Sequence, residues 1–179
     1  MKNIFIVLVC LFVSFEILAQ VRQKDSHEHG AANLKMVVEG RKLQFEFEVP
    51  SESLIGFEHF PNSQRNRDNF NEAIKILSAP SRLFSMSSKA ECLLVGMNVS
   101  QSLFPNEDGH DESETSEIHS EFKSNYYWNC QHLDEIGFIG IQLMTFFPKI
   151  DEIQVNWISN NGQGALELES EDDQIKGWE

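Results

Sequence analysis

Two histidines separated by one residue, His27 and His29 in the stretch HEHG, are the first residues in the chain with metal-binding chemistry. In an extended segment, residues i and i+2 point the same way, so both imidazoles can close on one ion while Glu28 faces elsewhere. Zinc takes three or four nitrogen, oxygen or sulfur ligands in a tetrahedral arrangement. Two imidazoles therefore need further ligands from the fold. The alternative interpretation of this stretch is a solvated tail.

Further imidazoles and carboxylates follow later in the chain. The residues predicted to complete one or two sites with the first pair are His59, His110, His119 and Glu121. His119 and Glu121 are again spaced i and i+2, so they share a face if a strand begins there. His132 and Glu135 are spaced i and i+3, but no helical pattern supports that pair. We therefore predict that His132 is a surface turn residue.

The chain carries none of the common catalytic motifs: H-E-x-x-H, G-x-S-x-G, the P-loop and G-x-G-x-x-G are all missing from the sequence. This favours a binding protein over an enzyme. A zinc hydrolase with three protein ligands and an open water position is the catalytic alternative, and it needs a carboxylate base near the metal. Glu58, beside His59, and Glu121 are the carboxylates that would serve.

The first nineteen residues have the pattern of a secretory signal peptide. Lys2 precedes an apolar run over 4–15, and the segment closes on Ala19, which predicts cleavage before Gln20. A lipid anchor at Cys10 is disfavoured because Val9 before it is not a small residue. No second run of about 20 apolar residues follows, so we predict no membrane insertion after cleavage. The expected product is a single secreted domain, residues 20–179.

The chain is strongly acidic, with 14 Lys and Arg against 28 Asp and Glu and a net charge of −14. Signal removal takes one residue of each sign and leaves that charge unchanged. Nucleic acids and anionic membranes attract clustered Lys and Arg, so the charge argues against both as partners. It is compatible with cation binding, and equally with solubility alone.

Two cysteines remain after the signal peptide, Cys92 and Cys130. An even pair in an oxidising compartment predicts one disulfide, worth about 3–4 kcal/mol on the chain-entropy argument. The alternative is a pair of thiolate metal ligands, which no C-x-x-C spacing supports.

Apolar periodicity predicts an α+β fold with a mostly antiparallel sheet and one main helix. Residues 31–49 have the pattern of a β-hairpin around Gly40, with clear alternation in the second run, and residues 51–61 are predicted to be a connector. Residues 62–79 place apolar side chains at helical spacing before Pro80, which predicts a helix. Residues 81–86 predict a second short helix or a turn.

An acidic low-complexity stretch, residues 105–118, is predicted to be a loop between two neighbouring strands. The strand before it is predicted over 91–104, with a bulge at Gly96, and the strand after it over 119–130. We expect the disulfide to join these strands at the base of the acidic loop.

The last third of the chain predicts a strand, a bend and a hairpin. Residues 138–144 are apolar throughout, which favours a central strand. Residues 151–159 alternate, NNGQ supplies a turn, and GALELES is the return strand. The acidic C-terminal tail is predicted to be loose.

The order of these features resembles the ZrgA-like family of periplasmic zinc-binding proteins of Gram-negative bacteria. The shared motifs are HEHG, the FEFEVP strand, an acidic loop bearing histidine, and a final Gly-x-x-x-L-E-L. The most specific pieces are LIGFEHFP at 54–61 and HSEF at 119–122, followed by Cys130. The resemblance covers nearly all of residues 27–178.

This resemblance implies a zinc-regulated periplasmic protein that helps capture zinc and supports its uptake through a separate ABC transporter, with that transporter or its binding protein as partner. It implies zinc ligands in the H-x-H and around the acidic loop, which in this chain are His27, His29, His110 and His119. His59 lies in the matching E-H-x-P motif. The paired cysteines of the family match Cys92 and Cys130.

The acidic loop departs from the family pattern. Loops of relatives are often rich in histidine, whereas this one holds only His110, with His119 at its exit. Lys123 also stands where many relatives have another histidine. We therefore expect a single site built around the H-x-H, with copper and nickel as competing ions. The alternative function is a metal-independent envelope protein that binds a partner through an exposed sheet edge.

Overall fold

A six-stranded sheet, a three-stranded sheet and four α-helices form the part of the chain that the computed structural model describes, residues 30–103, 120–170 and 174–178. The strands are β1 (Ala31–Glu39), β2 (Lys42–Pro50), β3 (Phe84–Ser85), β4 (Cys92–Gln101), β5 (Glu121–Cys130), β6 (Ile139–Ile141), β7 (Glu152–Ser159), β8 (Gly162–Leu168) and β9 (Gln174–Ile175). The helices are α1 (Ser51–Ile55), α2 (Gln64–Leu77), α3 (Pro80–Leu83) and α4 (Leu143–Phe146).

The large sheet has the strand order β4-β5-β2-β1-β7-β8. All neighbours are antiparallel except β1 and β7, which run parallel. The small sheet has the order β3-β6-β9 and is antiparallel. The predicted α+β class with a mostly antiparallel sheet is confirmed.

The predicted hairpin over 31–49 is the centre of the large sheet. Met36 pairs with Phe45 and Leu34 with Phe47, and all four side chains are buried on the same face. Gly40 has a positive φ of 59° at the turn, a conformation that glycine adopts without steric cost. The alternation thus decides which face of the hairpin becomes the core.

Helix α2 covers this core face, as the helical spacing over 62–79 predicts. Its N-cap is Ser63, whose hydroxyl accepts a hydrogen bond from the backbone N–H of Asn66. Phe70 contacts Phe122 of β5, with ring centroids 5.7 Å apart. Helix α2 therefore lies on the core face of the sheet. The opposite face, whose described side chains such as Lys35, Glu46 and Lys123 are exposed or half-buried, is called the open face below.

A network of charged side chains occupies the open face. Lys35 bonds Glu46 and Glu48, and Lys123 also pairs with both carboxylates. The pKa of Lys35 is raised, chiefly by its hydrogen bond to Glu46. Burial acts to raise the pKa of Glu48, but the hydrogen bonds from Lys123 and Lys35 together lower it. The network therefore favours its charged state.

The predicted disulfide between Cys92 and Cys130 is confirmed, and the two residues lie directly opposite each other on β4 and β5. Its predicted position is wrong. Gln101 and Phe122 pair at the end of the strands where the acidic loop connects them, whereas the disulfide lies at the opposite end. The antiparallel register explains this, because β4 starts at Cys92 and β5 ends at Cys130, whereas the loop joins the end of β4 to the start of β5. The bulge that Gly96 predicts is present between Leu94 and Gly96.

Other elements differ from the sequence prediction. The expected connector after Pro50 begins with helix α1. The expected central strand over 138–144 is confirmed only for Ile139–Ile141, which is the middle strand of the small sheet, whereas its end is wrong because Leu143–Phe146 is helical. An apolar run without alternation does not distinguish a strand from a buried helical turn.

The predicted loose tail is wrong for the residues described near the C-terminus. Ile175 pairs with Ile139 in the small sheet and is fully buried, and Trp178 is only 2% exposed. Two apolar side chains in an acidic segment are enough to dock it on the core. None of the helices within the described ranges has the length and apolar character needed to cross a membrane.

Candidate functional site

Four segments of the chain meet at one end of the large sheet. The strands β5, β2, β1 and β7 are neighbours in this order. Strand β2 is antiparallel to both β5 and β1, so it ends where they begin. Strand β7 is parallel to β1 and begins beside it. Neighbouring strands are about 4.8 Å apart, so the residues at these strand ends lie side by side. We call this the anchoring end and define it by Ser120, Ser51, Gly30 and Asp151.

Gly30, the residue after His29, is held at the anchoring end by three hydrogen bonds. Its N–H donates to the buried hydroxyl of Ser53 in α1 over 3.1 Å. Its carbonyl accepts from the backbone N–H groups of Asp151, over 2.8 Å, and Glu152, over 3.1 Å. Gly30 also has a positive φ of 86°, which favours glycine. The point at which the N-terminal segment enters the described fold is therefore well defined.

Ser120, the residue after His119, is held at the same end. Its carbonyl accepts a hydrogen bond from the backbone N–H of Ser51 over 2.8 Å. The N–H of the next residue, Glu121, donates to the hydroxyl of Ser102 over 2.9 Å. The segment that follows the acidic loop is thus fixed against the start of α1 and the end of β4.

Helix α1 joins these two anchors, because it bonds Ser120 through Ser51 and Gly30 through Ser53. Ser51 and Ser120 are buried, and their hydroxyls have no hydrogen-bond partner among the described residues. Buried hydroxyls in folded proteins normally have a partner. The anchoring end therefore contains two polar groups that can accept further hydrogen bonds.

Asp151 adds to the anchoring end a carboxylate that the sequence patterns do not predict. An ideal Cβ placed on Gly30 would lie 2.6 Å from its Oδ2 atom, so the carboxylate lies directly against the Gly30 backbone. Nothing in the sequence marks Asp151, because its position depends on the parallel pairing of β1 with β7. That pairing joins segments more than a hundred residues apart.

His59 is exposed and lies beyond α1, with its ring stacked on Phe57 at a centroid distance of 5.0 Å. Its Nδ1 lies 2.8 Å from the carbonyl oxygen of Phe60. A carbonyl only accepts, so Nδ1 is the donor and Nε2 is the ring nitrogen that remains available to a metal ion. Metal-binding histidines commonly use this arrangement, with one nitrogen bonded to a carbonyl and the other to the ion.

Residues 26–177 match the protein-family model described as "ZrgA family zinc uptake protein". This chain belongs to the ZrgA family. The matched span contains the N-terminal H-x-H, the acidic loop and both cysteines. No curated protein matches the chain.

The described residues of this ZrgA family member do not form a complete zinc site by themselves. His27, His29, His110 and His119 lie outside the described residues, and no group of three or more His, Cys, Asp or Glu within residues 30–103, 120–170 and 174–178 is arranged to hold a metal. The side chains within these ranges do include ligand types that zinc accepts, imidazole and carboxylate.

Glu121 and His59, the two predicted ligands that the structure describes, are not brought together. Glu121 is exposed at the start of β5, whereas the next residue, Phe122, is buried under α2. Because side chains alternate along a strand, Glu121 points to the open face, with Lys123. His59 stacks on Phe57 on the helical side.

His132 is exposed just before a 3₁₀ turn, Leu133–Glu135, which confirms it as a surface turn residue. Its backbone N–H donates to the carbonyl of Ala90, near the disulfide. Because β5 ends at Cys130, His132 lies at the end of the sheet opposite the anchoring end. It therefore provides a natural control in any comparison of histidines.

Proposed function

We propose that this ZrgA family protein binds zinc in the periplasm and assists zinc uptake through a separate ABC transporter. The family assignment supports zinc as the ion that is captured and passed on. The predicted signal peptide supports the compartment. In this proposal zinc is cargo, and the protein binds and releases it without catalysing a reaction.

The observation that carries the proposal is the common anchoring of two histidine-bearing segments. Gly30 follows His29, Ser120 follows His119, and both anchors are bonded to α1. Strands β1 and β5 flank β2, so their starts are about 10 Å apart. Imidazoles projecting from backbones at that spacing can reach a common ion. This favours His27 and His29 with His119 as ligands of one site.

The remaining candidates have supporting roles in the proposal. His110 lies in the acidic loop before His119 and would join the same site or a neighbouring weaker one. His59 presents Nε2 and would take an ion at the helical side of the fold. A ligating imidazole needs an acceptor for its second N–H. The buried hydroxyls of Ser51 and Ser120 are suited to that task.

Calorimetry with zinc at neutral pH tests the proposal on the intact mature protein. We expect wild-type protein to bind zinc and the double variant His27→Ala/His29→Ala to bind at least about tenfold more weakly, because two first ligands are removed. His132→Ala is the matched control and should bind like the wild type. No zinc binding by the wild type, or equal affinity in the double variant, would contradict the proposal.

A second measurement addresses the compartment and the identity of the ion. We expect protein purified from the periplasm without a histidine tag to contain zinc in preference to copper and nickel. All three ions accept imidazole ligands, so metal content is the direct discriminator. Protein that carries only copper or nickel, or that never reaches the periplasm, would contradict zinc delivery.

The alternative, a metal-independent interaction protein, is favoured by one surface. Strand β4 is an edge of the large sheet, carries no charged residue, and exposes Leu93 and Val95 by 68% and 61%. Such an edge can pair with an extended segment of another protein through backbone hydrogen bonds. Because β4 offers no charge to pair with, the segment would itself be uncharged and apolar.

This alternative predicts a partner complex that survives removal of zinc by a chelator. A lysine at Val95 would put a charge on the edge and weaken such a complex. The same substitution lies far from the anchoring end and should leave zinc affinity unchanged. A complex that requires zinc, or that tolerates Val95→Lys, would rule out pairing at this edge.

A further inference from the structure

Strand β4 forms one edge of the large sheet and differs in charge from every other strand of that sheet. It contains no Asp, Glu, Lys or Arg, whereas each of the others contains at least one, including Glu167 in β8 at the opposite edge. Charged side chains on an edge strand normally prevent it from pairing with another chain. Because β4 has none, this edge is able to accept a further strand.

The backbone of β4 presents hydrogen-bonding groups at defined residues. The N–H of Ser102 donates to the carbonyl of Glu121 over 3.0 Å, which fixes the hydrogen-bonding phase of β4 against β5. Hydrogen-bonded and non-hydrogen-bonded pairs alternate along an antiparallel ladder, so Met97 and Val99 stand in non-hydrogen-bonded pairs with β5. Their N–H and C=O groups therefore point away from β5, towards the outside of the sheet. The bulge at Gly96 lies before this stretch and does not interrupt it.

The side chains along this stretch are apolar on one face and polar on the other. Met97 and Val99 lie on the core face, opposite the buried residues Tyr126 and Ser124 of β5. Met97 is nevertheless 44% exposed, so the buried layer of the molecule stops short of β4. Asn98, between them, is exposed on the open face, and its amide both donates and accepts hydrogen bonds.

These features favour a second copy of this chain as the occupant of the edge. A twofold axis at Asn98 that pairs two β4 strands antiparallel places Met97 of each copy opposite Val99 of the other. The outward backbone groups then bond each other, the apolar side chains meet, and the two Asn98 amides face each other. Each copy carries a net charge of −14, so two copies repel wherever carboxylates meet, and the uncharged β4 avoids that repulsion.

We propose that two copies of this chain associate by antiparallel pairing of β4 about a twofold axis at Asn98. The inference goes beyond the proposed zinc-binding function and does not depend on it. A contact of so few residues per copy belongs to the small, reversible class of interfaces, so we expect a dissociation constant of about 0.1 mM. Salt should strengthen the dimer, because it screens the repulsion between two acidic molecules.

Sedimentation of the mature protein at concentrations up to about 1 mM tests the proposal, with a chelator present to exclude association through bound metal. The measurement compares the wild type, Met97→Glu and Ile158→Glu at low and high salt. Ile158 is 50% exposed on β7, a strand inside the sheet. Its substitution therefore adds the same charge in place of an apolar side chain, away from the β4 edge.

We expect the wild type and Ile158→Glu to dimerise alike, and Met97→Glu to dimerise at least about tenfold more weakly, because two carboxylates then lie at the contact. All three proteins should melt at similar temperatures. A wild type that stays monomeric throughout would overturn the proposal, and so would equal weakening by both substitutions. A dimer that weakens with salt would place the contact at the ion pairs of the open face instead.

A cross-linking experiment tests the register and stands even if Met97→Glu fails to fold. Asn98→Cys places two thiols opposite each other at the twofold axis, within reach of a disulfide. Ser100→Cys is the matched control on the same exposed face, and its two thiols would lie about 14 Å apart along the strands. We expect mild oxidation to give a covalent dimer of Asn98→Cys alone. Equal cross-linking of both variants, or of neither, would overturn the proposed pairing.

Discussion

Tyr126 shows how one buried polar atom joins two layers of the fold. Its ring is fully buried, and its hydroxyl donates to the carbonyl of Leu77, the last residue of α2, over 2.8 Å. Burial raises the pKa of Tyr126 to about 12. The neutral phenol therefore stabilises the fold below pH 10, and this contribution is lost as pH rises towards about 12.

Replacing Tyr126 with phenylalanine should lower the free energy of unfolding by about 1–3 kcal/mol, because the Leu77 carbonyl would remain buried without a donor. Urea denaturation at pH 7 measures this change. Tyr127→Phe is the matched control, since that hydroxyl belongs to a side chain that is 39% exposed. Equal stability of the two variants would show that the hydrogen bond from Tyr126 to the Leu77 carbonyl contributes nothing to the free energy of unfolding.

Glu48 makes a second residue-scale prediction, on stability in acid. Its lowered pKa means that the charged network on the open face is stabilising above about pH 4.5 and is lost as pH falls through that lowered pKa. Glu48→Gln should therefore be less stable than the wild type at pH 7, by about 0.2–1 kcal/mol for each pair that it loses. The difference should shrink below pH 4.

Unfolding curves of both proteins from pH 3 to pH 7 measure this effect. Glu72→Gln is the control for the loss of one carboxylate, because Glu72 pairs only with Lys75 among the ion pairs described and lies on the exposed surface of α2. A constant difference between wild type and Glu48→Gln across the whole range would contradict the linkage.

At the scale of elements, the short helix α1 organises the anchoring end. Five residues suffice because the helix is fixed by other contacts: it follows directly from β2, ends on Gly56 with a positive φ of 86°, and bonds both anchors. The backbone N–H of Ser51 donates to the carbonyl of Ser120, and the side-chain oxygen of Ser53 accepts from the N–H of Gly30. An isolated helix of this length would not be stable in water.

The disulfide acts on the hairpin formed by β4 and β5. Its cysteines are 38 residues apart in the sequence and close a loop that contains the acidic segment. The double variant Cys92→Ala/Cys130→Ala should lose about 3–4 kcal/mol of stability, because its unfolded chain is less restricted. Urea denaturation of the oxidised wild type and of the double variant measures the loss.

A reducing agent supplies the control for the disulfide. It should destabilise the wild type to a similar extent and leave the double variant unchanged. Zinc affinity should fall little in either case, since the bridge lies at the end of the sheet opposite the anchoring end. A large loss of zinc affinity without loss of fold would place a metal ligand near the cysteines and contradict this arrangement.

At the scale of the whole molecule, zinc binding at the proposed site would be coupled to folding. Bound zinc stabilises the folded state in proportion to the logarithm of the free zinc concentration, by about 2.7 kcal/mol at 100 times the Kd. Histidine binds metal only when it is neutral, and an imidazole in water titrates near pH 6.5.

We therefore expect zinc to raise the melting temperature at pH 7.5 and to lose most of this effect at pH 5.5. Thermal melts with zinc and with a chelator at the two pH values measure the difference. An unchanged zinc effect at pH 5.5 would show that carboxylates, not imidazoles, dominate the site.

The amino-acid sequence alone determined the local structure wherever its apolar residues recur with one clear period, either that of a strand or that of a helix. Alternation identified β2, β5 and β7, the hairpin pattern around Gly40 identified β1, helical spacing identified α2, and Gly96 marked the bulge in β4. These signals are reliable because one face of each element is buried and the other is exposed. The cysteine pair and the family motifs were likewise available in the sequence.

Only the tertiary structure decided which strand ends meet. The parallel pairing of β1 with β7 places Asp151 beside Gly30, and the register of β4 with β5 puts the disulfide far from the acidic loop. Helix α1 and the docked Trp178 were also outside the reach of sequence patterns. These features depend on contacts between segments distant in sequence, and periodicity reports only the neighbours along the chain.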